Sequence, residues 1–209
     1  MNKFDPDASK DPAMQSIDSL EIDRLISLAV KGDEETFGKV VQAYYSRVYN
    51  VILRVVNHAE DARELAQASW VKAWQKLGNY KHEAQFYTWV YRIAVNTALD
   101  FLRRKKRRPE VPIEPVVGDD GDHLSMDRQR GLADENTAAD ELHRREIREA
   151  FHEELQKLSA EHRTVMVLRE IEGMSYDEIA EVMKTRRGTV MSRLHYARKT
   201  LRSAMGKYR

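Results

Sequence analysis

From Glu178 to Arg202 the chain reads EIAEVMKTRRGTVMSRLHYARKTLR, and after Glu181 no acidic residue follows while lysine and arginine continue to Arg209. Side chains of this kind pair with phosphate oxygens and with the donor and acceptor edges of bases. Ile179, Ala180 and Met183 recur at helical spacing, and after a break at Lys184 to Arg187 a second apolar stripe runs through Val190, Leu194, Ala197 and Leu201. On a helical wheel Ser192, His195 and Lys199 point away from that stripe, with Arg198 and Arg202 to one side and Thr189, Arg193 and Tyr196 to the other. Two short helices, a tight turn and a hydrogen-bonding outer face describe a helix-turn-helix, whose second helix enters the major groove of DNA. A merely solvated face ordinarily mixes both charge signs, which favours DNA over a plain helical hairpin.

A second concentration of chemistry lies between residues 78 and 108. Tyr80, Phe86, Tyr87, Trp89 and Tyr91 cluster with Lys81, His82, Arg92 and Asn96, and the same segment runs into RRKKRR at Arg103 to Arg108. Aromatic rings interleaved with cations suit single-stranded nucleic acid, because bases stack on rings at about 1 to 3 kcal/mol each while cations follow the phosphates. Trp89 and Ile93 share a face and read as core. The basic run also suits the end of a helix, where cations complement the dipole. Catalytic signals are absent: His143, His152 and His162 lie near glutamates, yet no pair of histidines has metal-ligand spacing with a carboxylate, and there is no glycine-rich phosphate loop or nucleophile elbow. A binding protein without enzyme activity, metal or cofactor is expected.

The elements that must position these residues are helical. The 209 residues are 33 % charged with a formal net charge of +1, which suits a soluble chain of one or two small domains. No apolar run approaches the roughly 20 residues of a membrane span, so no membrane insertion is expected. The acidic, polar start is unlike a signal peptide, and with no cysteine there is neither a disulfide framework nor a thiolate zinc site, so a cytoplasmic location is expected. Residues 1–19 lack periodicity and read as a flexible tail. Residues 20–108 read as one helical domain: Gly32 ends a first helix, Asp33 caps a second, a third starts near Glu60 and a fourth runs from about Tyr87 to Arg104. Residues 109–138, rich in proline, glycine and acids, read as a flexible acidic linker, and 139–209 as a second helical domain in which Ser159 opens and Gly173 closes the helix before the helix-turn-helix. The fold class expected is all-α, two small helical domains joined by that linker.

Three stretches in this order resemble the extracytoplasmic function sigma factors, a family of bacterial transcription initiation factors: ARELAQASWVKAW (62–74), AQFYTWVYRIAVNTALDFLRR (84–104) and MSYDEIAEVMKTRRGTVMSRLHYARKTLR (174–202). The resemblance, with VKGDEETFGKVV near the start, covers nearly everything but the tail and the linker. It implies a subunit of RNA polymerase that directs promoter-specific initiation in a stress response. Glu64, Leu65, Gln67, Trp70, Lys72 and Trp74 would dock on the clamp helices of the polymerase largest subunit, and the second domain on the flap. Tyr80, Lys81, His82, Glu83, Gln85, Phe86, Tyr87, Arg92, Asn96, Arg103 and Arg104 would bind and melt the downstream promoter element, the 80–86 loop capturing a base flipped from the non-template strand. Arg186, Arg187, Thr189, Ser192, Arg193, His195, Tyr196, Arg198 and Lys199 would read the upstream element. The implied partners are core RNA polymerase, duplex and single-stranded promoter DNA and an anti-sigma protein, with the acidic linker threading the polymerase RNA path. Departures occur at Ala68, where the family often has an acid, at Arg186 and Arg187, which replace a proline and a small apolar residue, and at Met191 and Tyr196, which stand at commonly basic positions. The competing reading is a helix-turn-helix regulator that binds duplex DNA without polymerase.

Overall fold

The computed structural model describes residues 19–81, 84–107 and 138–208, so the linker and the N-terminal tail lie outside the described residues. Helix α1 (Ser19–Ala29) stops at Gly32, whose φ of +96° is open to glycine and strained for other residues. Asp33 then caps α2 (Glu34–Val56): Oδ1 accepts the Thr36 N–H at 3.1 Å and Oδ2 accepts the Thr36 hydroxyl at 2.6 Å. Asn57 closes α2 in the left-handed region, its N–H donating to the Leu53 carbonyl at 2.7 Å. His58 caps α3 (Ala59–Lys76), a single tight turn follows at Leu77–Asn79, and α4 (Phe86–Arg107) ends on four consecutive cations, the favourable sign for a helix C-terminus.

These four helices close around one apolar centre. Val40, Val51, Ile52 and Val55 of α2, Ala62, Ala66 and Ala73 of α3, and Ala94, Val95 and Ala98 of α4 are completely buried. Alanine on α3 and α4 lets the helix axes approach closely, while the larger residues of α2 fill the space between them. Phe37 is packed edge-on to Trp70 at 6.1 Å and against Trp74 at 4.9 Å, which fixes α3 on the start of α2.

The second unit begins with α5 (Ala138–Lys157). Ser159 caps α6 (Ala160–Met166), which widens into the turn Val167–Ile171, where the Glu172 N–H reaches back to the Val167 carbonyl at 3.1 Å. Gly173 then turns the chain at φ +69°. Helices α7 (Tyr176–Val182) and α8 (Arg187–Ala204) complete the unit, separated by a turn whose Lys184 adopts a φ of 50°. Ser175 and Glu178 form a reciprocal capping box: the serine hydroxyl accepts the Glu178 N–H at 3.2 Å, and Glu178 Oε2 accepts the Ser175 N–H at 2.8 Å. Leu155, Val165, Leu168, Ile179, Leu194 and Leu201 form its core, and α4 of the first unit packs directly on α7. All regular elements among the described residues are helical.

Replacing Ile52 by alanine deletes a fully buried side chain from the centre of the first unit. The unfolding free energy should fall by about 2 to 5 kcal/mol, read as a lower urea midpoint at unchanged slope.

Candidate nucleic-acid interface

Helix α8 is anchored by Val190, Leu194, Ala197 and Leu201, all buried, and this leaves its opposite side to solvent. Arg186, Arg187, Ser192, His195, Tyr196, Arg198 and Lys199 are exposed, while Thr189 and Arg193 are half-buried at the margins. Two of the cations already have partners. Arg198 places Nη2 and Nε at 2.6 and 3.0 Å from Glu170 Oε1, and Arg187 Nη1 lies 3.4 Å from Asp177 Oδ2. The exposed face also carries apolar surface, since Met191 and Tyr196 are 51 % and 56 % exposed. The Tyr196 ring rests 4.8 Å from that of His162, whose pKa is lowered by burial and by the neighbouring Arg193.

Around α4 the aromatic residues divide into two groups. Tyr80, Phe86 and Trp89 are buried and mutually packed, with ring centroids 5.4 to 5.6 Å apart, and the Tyr80 hydroxyl donates to the Ala84 carbonyl at 2.8 Å across the loop. Those rings form the floor of the loop, and Lys81 and Gln85 are its exposed groups; His82 and Glu83 lie outside the described residues. The second group faces the other unit. The Tyr87 hydroxyl donates to Glu178 Oε1, and the Tyr91 hydroxyl to Glu172 Oε2 at 2.5 Å. Arg92 Nη1 pairs with Glu181 Oε1 at 3.2 Å, and Asn96 Nδ2 donates to the Val182 carbonyl at 2.9 Å. At the far end Arg103 bridges Asp100 at 3.1 Å and Glu161 at 3.6 Å, while Arg104 is exposed.

Burial first, and then the adjacent Glu178 carboxylate, pushes the Tyr87 phenol up to about 12, and Tyr91 is raised further by burial and by Glu172. For Glu178 burial alone would raise the carboxyl. Hydrogen bonds from Tyr87, from the Ser175 backbone and hydroxyl, and from Thr88 outweigh it, so the group is held below the usual glutamate range.

On α3, Leu65 and Trp70 are buried and Trp74 is half-buried against Phe37, so these three hold the helix in place. Glu64, Gln67 and Lys72 are exposed, and with Ala68, Gln75 and Val71, itself 52 % exposed, they line a shallow open groove. Lys72 Nζ also donates to Thr97 Oγ1 of α4 at 3.1 Å. The sequence reads Val71 with Leu65, Trp70, Trp74 and Leu77 as an apolar position of this helix and gives it no site role, whereas the structure exposes it because it follows Trp70 onto the outer face. Glu172, Glu178 and Glu181 were missed as well; only the Ser-x-x-Glu spacing at 175–178 marks one of them, and it marks a helix start.

Two family models match the chain in order: sigma-70 region 2 over residues 40–108 and sigma-70 region 4 over residues 148–201. The sigma-H factor of Pseudomonas aeruginosa is 36 % identical over 182 residues, covering 87 % of this chain and 92 % of that one. An extracytoplasmic function sigma-E factor of Haemophilus influenzae is 33 % identical over 177 residues, covering 85 % and 91 %. This chain belongs to the extracytoplasmic function sigma factors. SigW of Bacillus subtilis is 31 % identical over 184 residues, with 88 % and 96 % covered. The fold resembles that of CnrH solved with the cytosolic domain of CnrY (TM-score 0.60, 24 % identity, 88 % and 96 % covered). It also resembles RpoE of Bartonella quintana solved with the anti-sigma factor NepR (TM-score 0.61, 22 % identity, 81 % and 96 % covered). As a sigma factor the protein directs transcription initiation by RNA polymerase, and no described helix is long and apolar enough to cross a membrane.

Ser175→Ala in this sigma factor removes the capping hydroxyl and should lower stability by about 1 kcal/mol, seen as a lower thermal midpoint. A carboxyl held low in the folded state stabilises fully above the ordinary glutamate range and loses that contribution as the pH falls through its folded value. Urea midpoints should therefore drop between pH 7 and about pH 3.5, and Glu178→Gln should make that drop smaller.

Proposed function

We propose that this sigma factor holds core RNA polymerase through the outer face of α3, reads the upstream promoter element with α8, and binds and helps to melt the downstream element with α4 and the loop before it. The observation that carries the reading is the exposed cationic and hydrogen-bonding side of α8, set on buried Val190, Leu194 and Leu201 so that the whole side is free to enter a groove. Arg187, His195 and Lys199 would supply base-edge and phosphate contacts. Exposed Met191 and Tyr196 would add apolar contact where family members commonly place cations, which shifts sequence preference rather than abolishing binding. Arg198, already paired with Glu170, serves better as a phosphate contact shared with that carboxylate than as a free base reader.

On α3 the groove of Glu64, Gln67, Ala68, Val71 and Lys72 offers an apolar centre with a polar rim, the layout of a protein interface. Leu65 and Trp70 support it from beneath, and Trp74 borders it half-buried. Downstream, Tyr80 and Phe86 would form the floor on which an unstacked base rests, with Lys81, His82, Glu83 and Gln85 around it. Tyr87, Arg92, Asn96, Arg103 and Arg104 would follow the strand. CnrH and RpoE were each solved with a protein partner, an anti-sigma factor in the case of RpoE, and by that likeness an anti-sigma protein is the regulatory partner here. The protein acts in the cytoplasm, in a stress response, without a cofactor and without chemistry of its own.

Run-off transcription with purified core polymerase on a genomic fragment library tests the reading: start sites should share an upstream and a downstream element. Tight operator binding by the protein alone, with no polymerase-dependent transcripts, would instead make it a polymerase-independent regulator. Within that assay, reversing Arg187 and Lys199 to glutamate should reduce upstream-element binding by roughly tenfold or more while co-purification with core polymerase persists.

A further inference from the structure

Helix α8 carries two exposed apolar residues among its cations, and they are not equivalent. The Tyr196 ring rests on that of His162 at 4.8 Å, which covers part of it. Met191 is 51 % exposed and lies one turn after Arg187, where the helix starts, and one turn before His195. In a helix-turn-helix the residues of that half reach the edges of bases. The donors around Met191 are engaged within the protein. Arg187 Nη1 lies 3.4 Å from Asp177 Oδ2, the Ser192 hydroxyl donates to the Thr189 carbonyl at 3.0 Å, and Arg198 Nη2 lies 2.6 Å from Glu170 Oε1. Between Arg187 and Arg198 both guanidiniums on this side of the helix are thus shared with carboxylates. Gly188 stands three residues before Met191, exposed, and a Cβ built on it would meet no protein atom within 4 Å. Glycine inside a helix costs stability relative to alanine, and the fold gives no steric reason for it here. A bare backbone at that point lets a groove wall come closer to the start of α8 than any side chain would allow.

We propose that Met191 is a specificity-determining residue that selects a thymine in the upstream element by packing its thioether against the thymine 5-methyl group. The proposal rests on the assignment of α8 to the upstream element and names the group read there. In the major groove adenine, guanine and cytosine offer hydrogen-bond donors and acceptors, whereas thymine adds a methyl group. Methionine has no strong donor or acceptor with which to read the other three. Its unbranched, polarizable chain settles on an apolar group without demanding an exact position. A lysine or arginine at the same place would favour guanine instead. His195 and Lys199 line the same open cleft as Met191 and hold the polar groups on either side of the methyl.

The test uses holoenzyme assembled from the full chain and core polymerase, on a promoter found by run-off transcription. Each thymine of the upstream element, on either strand, is replaced singly by uracil, which removes the 5-methyl group and leaves every hydrogen-bonding group in place. Relative affinity is read by competition between the two duplexes. With the wild-type protein, uracil at one thymine should weaken binding roughly three- to fivefold, the effect of one buried methyl group. Met191→Ala should bind the thymine and uracil duplexes equally at that position, and helical content and thermal midpoint confirm that the variant folds. A promoter on which no uracil weakens wild-type binding, or a uracil effect that persists unchanged in Met191→Ala, would overturn the methyl contact. Scrambling the whole upstream element measures the underlying assignment separately. If scrambling weakens binding while every uracil is tolerated, the methyl contact alone fails; if scrambling costs nothing, the assignment of α8 fails with it.

Discussion

A helix that lies between two units must find partners for both of its sides, and α4 is the element on which this constraint falls. Its apolar side, through Trp89, Val90, Ala94, Val95 and Ala98, is committed to the core of the first unit. Its polar side carries phenols, guanidiniums and an amide, groups that are costly to bury without acceptors. In this structure the acceptors come from the second unit. The first unit holds α4 by that apolar side, and α7 of the second unit packs along it.

Much of the fold was legible because the signals for it are local. The φ of Gly32, the Asp33 cap, the Ser159 cap and the turn at Gly173 each depend on chemistry within four residues, and the apolar stripe of α8 is a periodicity that cannot be satisfied by another element. The outward residues of α8 follow from that stripe by geometry alone. Function was less legible where a side chain suits two environments. Tyr80 and Phe86 look like stacking platforms in sequence, and the structure buries both beneath the loop, since a ring next to a cation fits a core as well as a binding surface. Trp70 and Leu65 have the same ambiguity, resolved by the close approach that alanines allow on α3.

The acids that meet α4 were not legible at all. Tyr87 and Glu178 are 91 residues apart, and nothing in the composition around Glu172, Glu178 or Glu181 distinguishes an acid that will meet an aromatic hydroxyl from one that will meet water. The run without acids begins only after Glu181, and the carboxylates that meet α4 all lie at or before that residue. A formal net charge of +1 therefore hides a second unit with two electrically opposite sides.

Glu178 divides its two oxygens between two tasks. One accepts the Ser175 N–H and starts α7; the other accepts the Tyr87 hydroxyl. The bonds to Ser175 lie wholly within the second unit, and only the bond to Tyr87 crosses to the first. The opening turn of α7 is therefore wound by contacts that the second unit makes with itself, and it owes nothing to the helix it rests on.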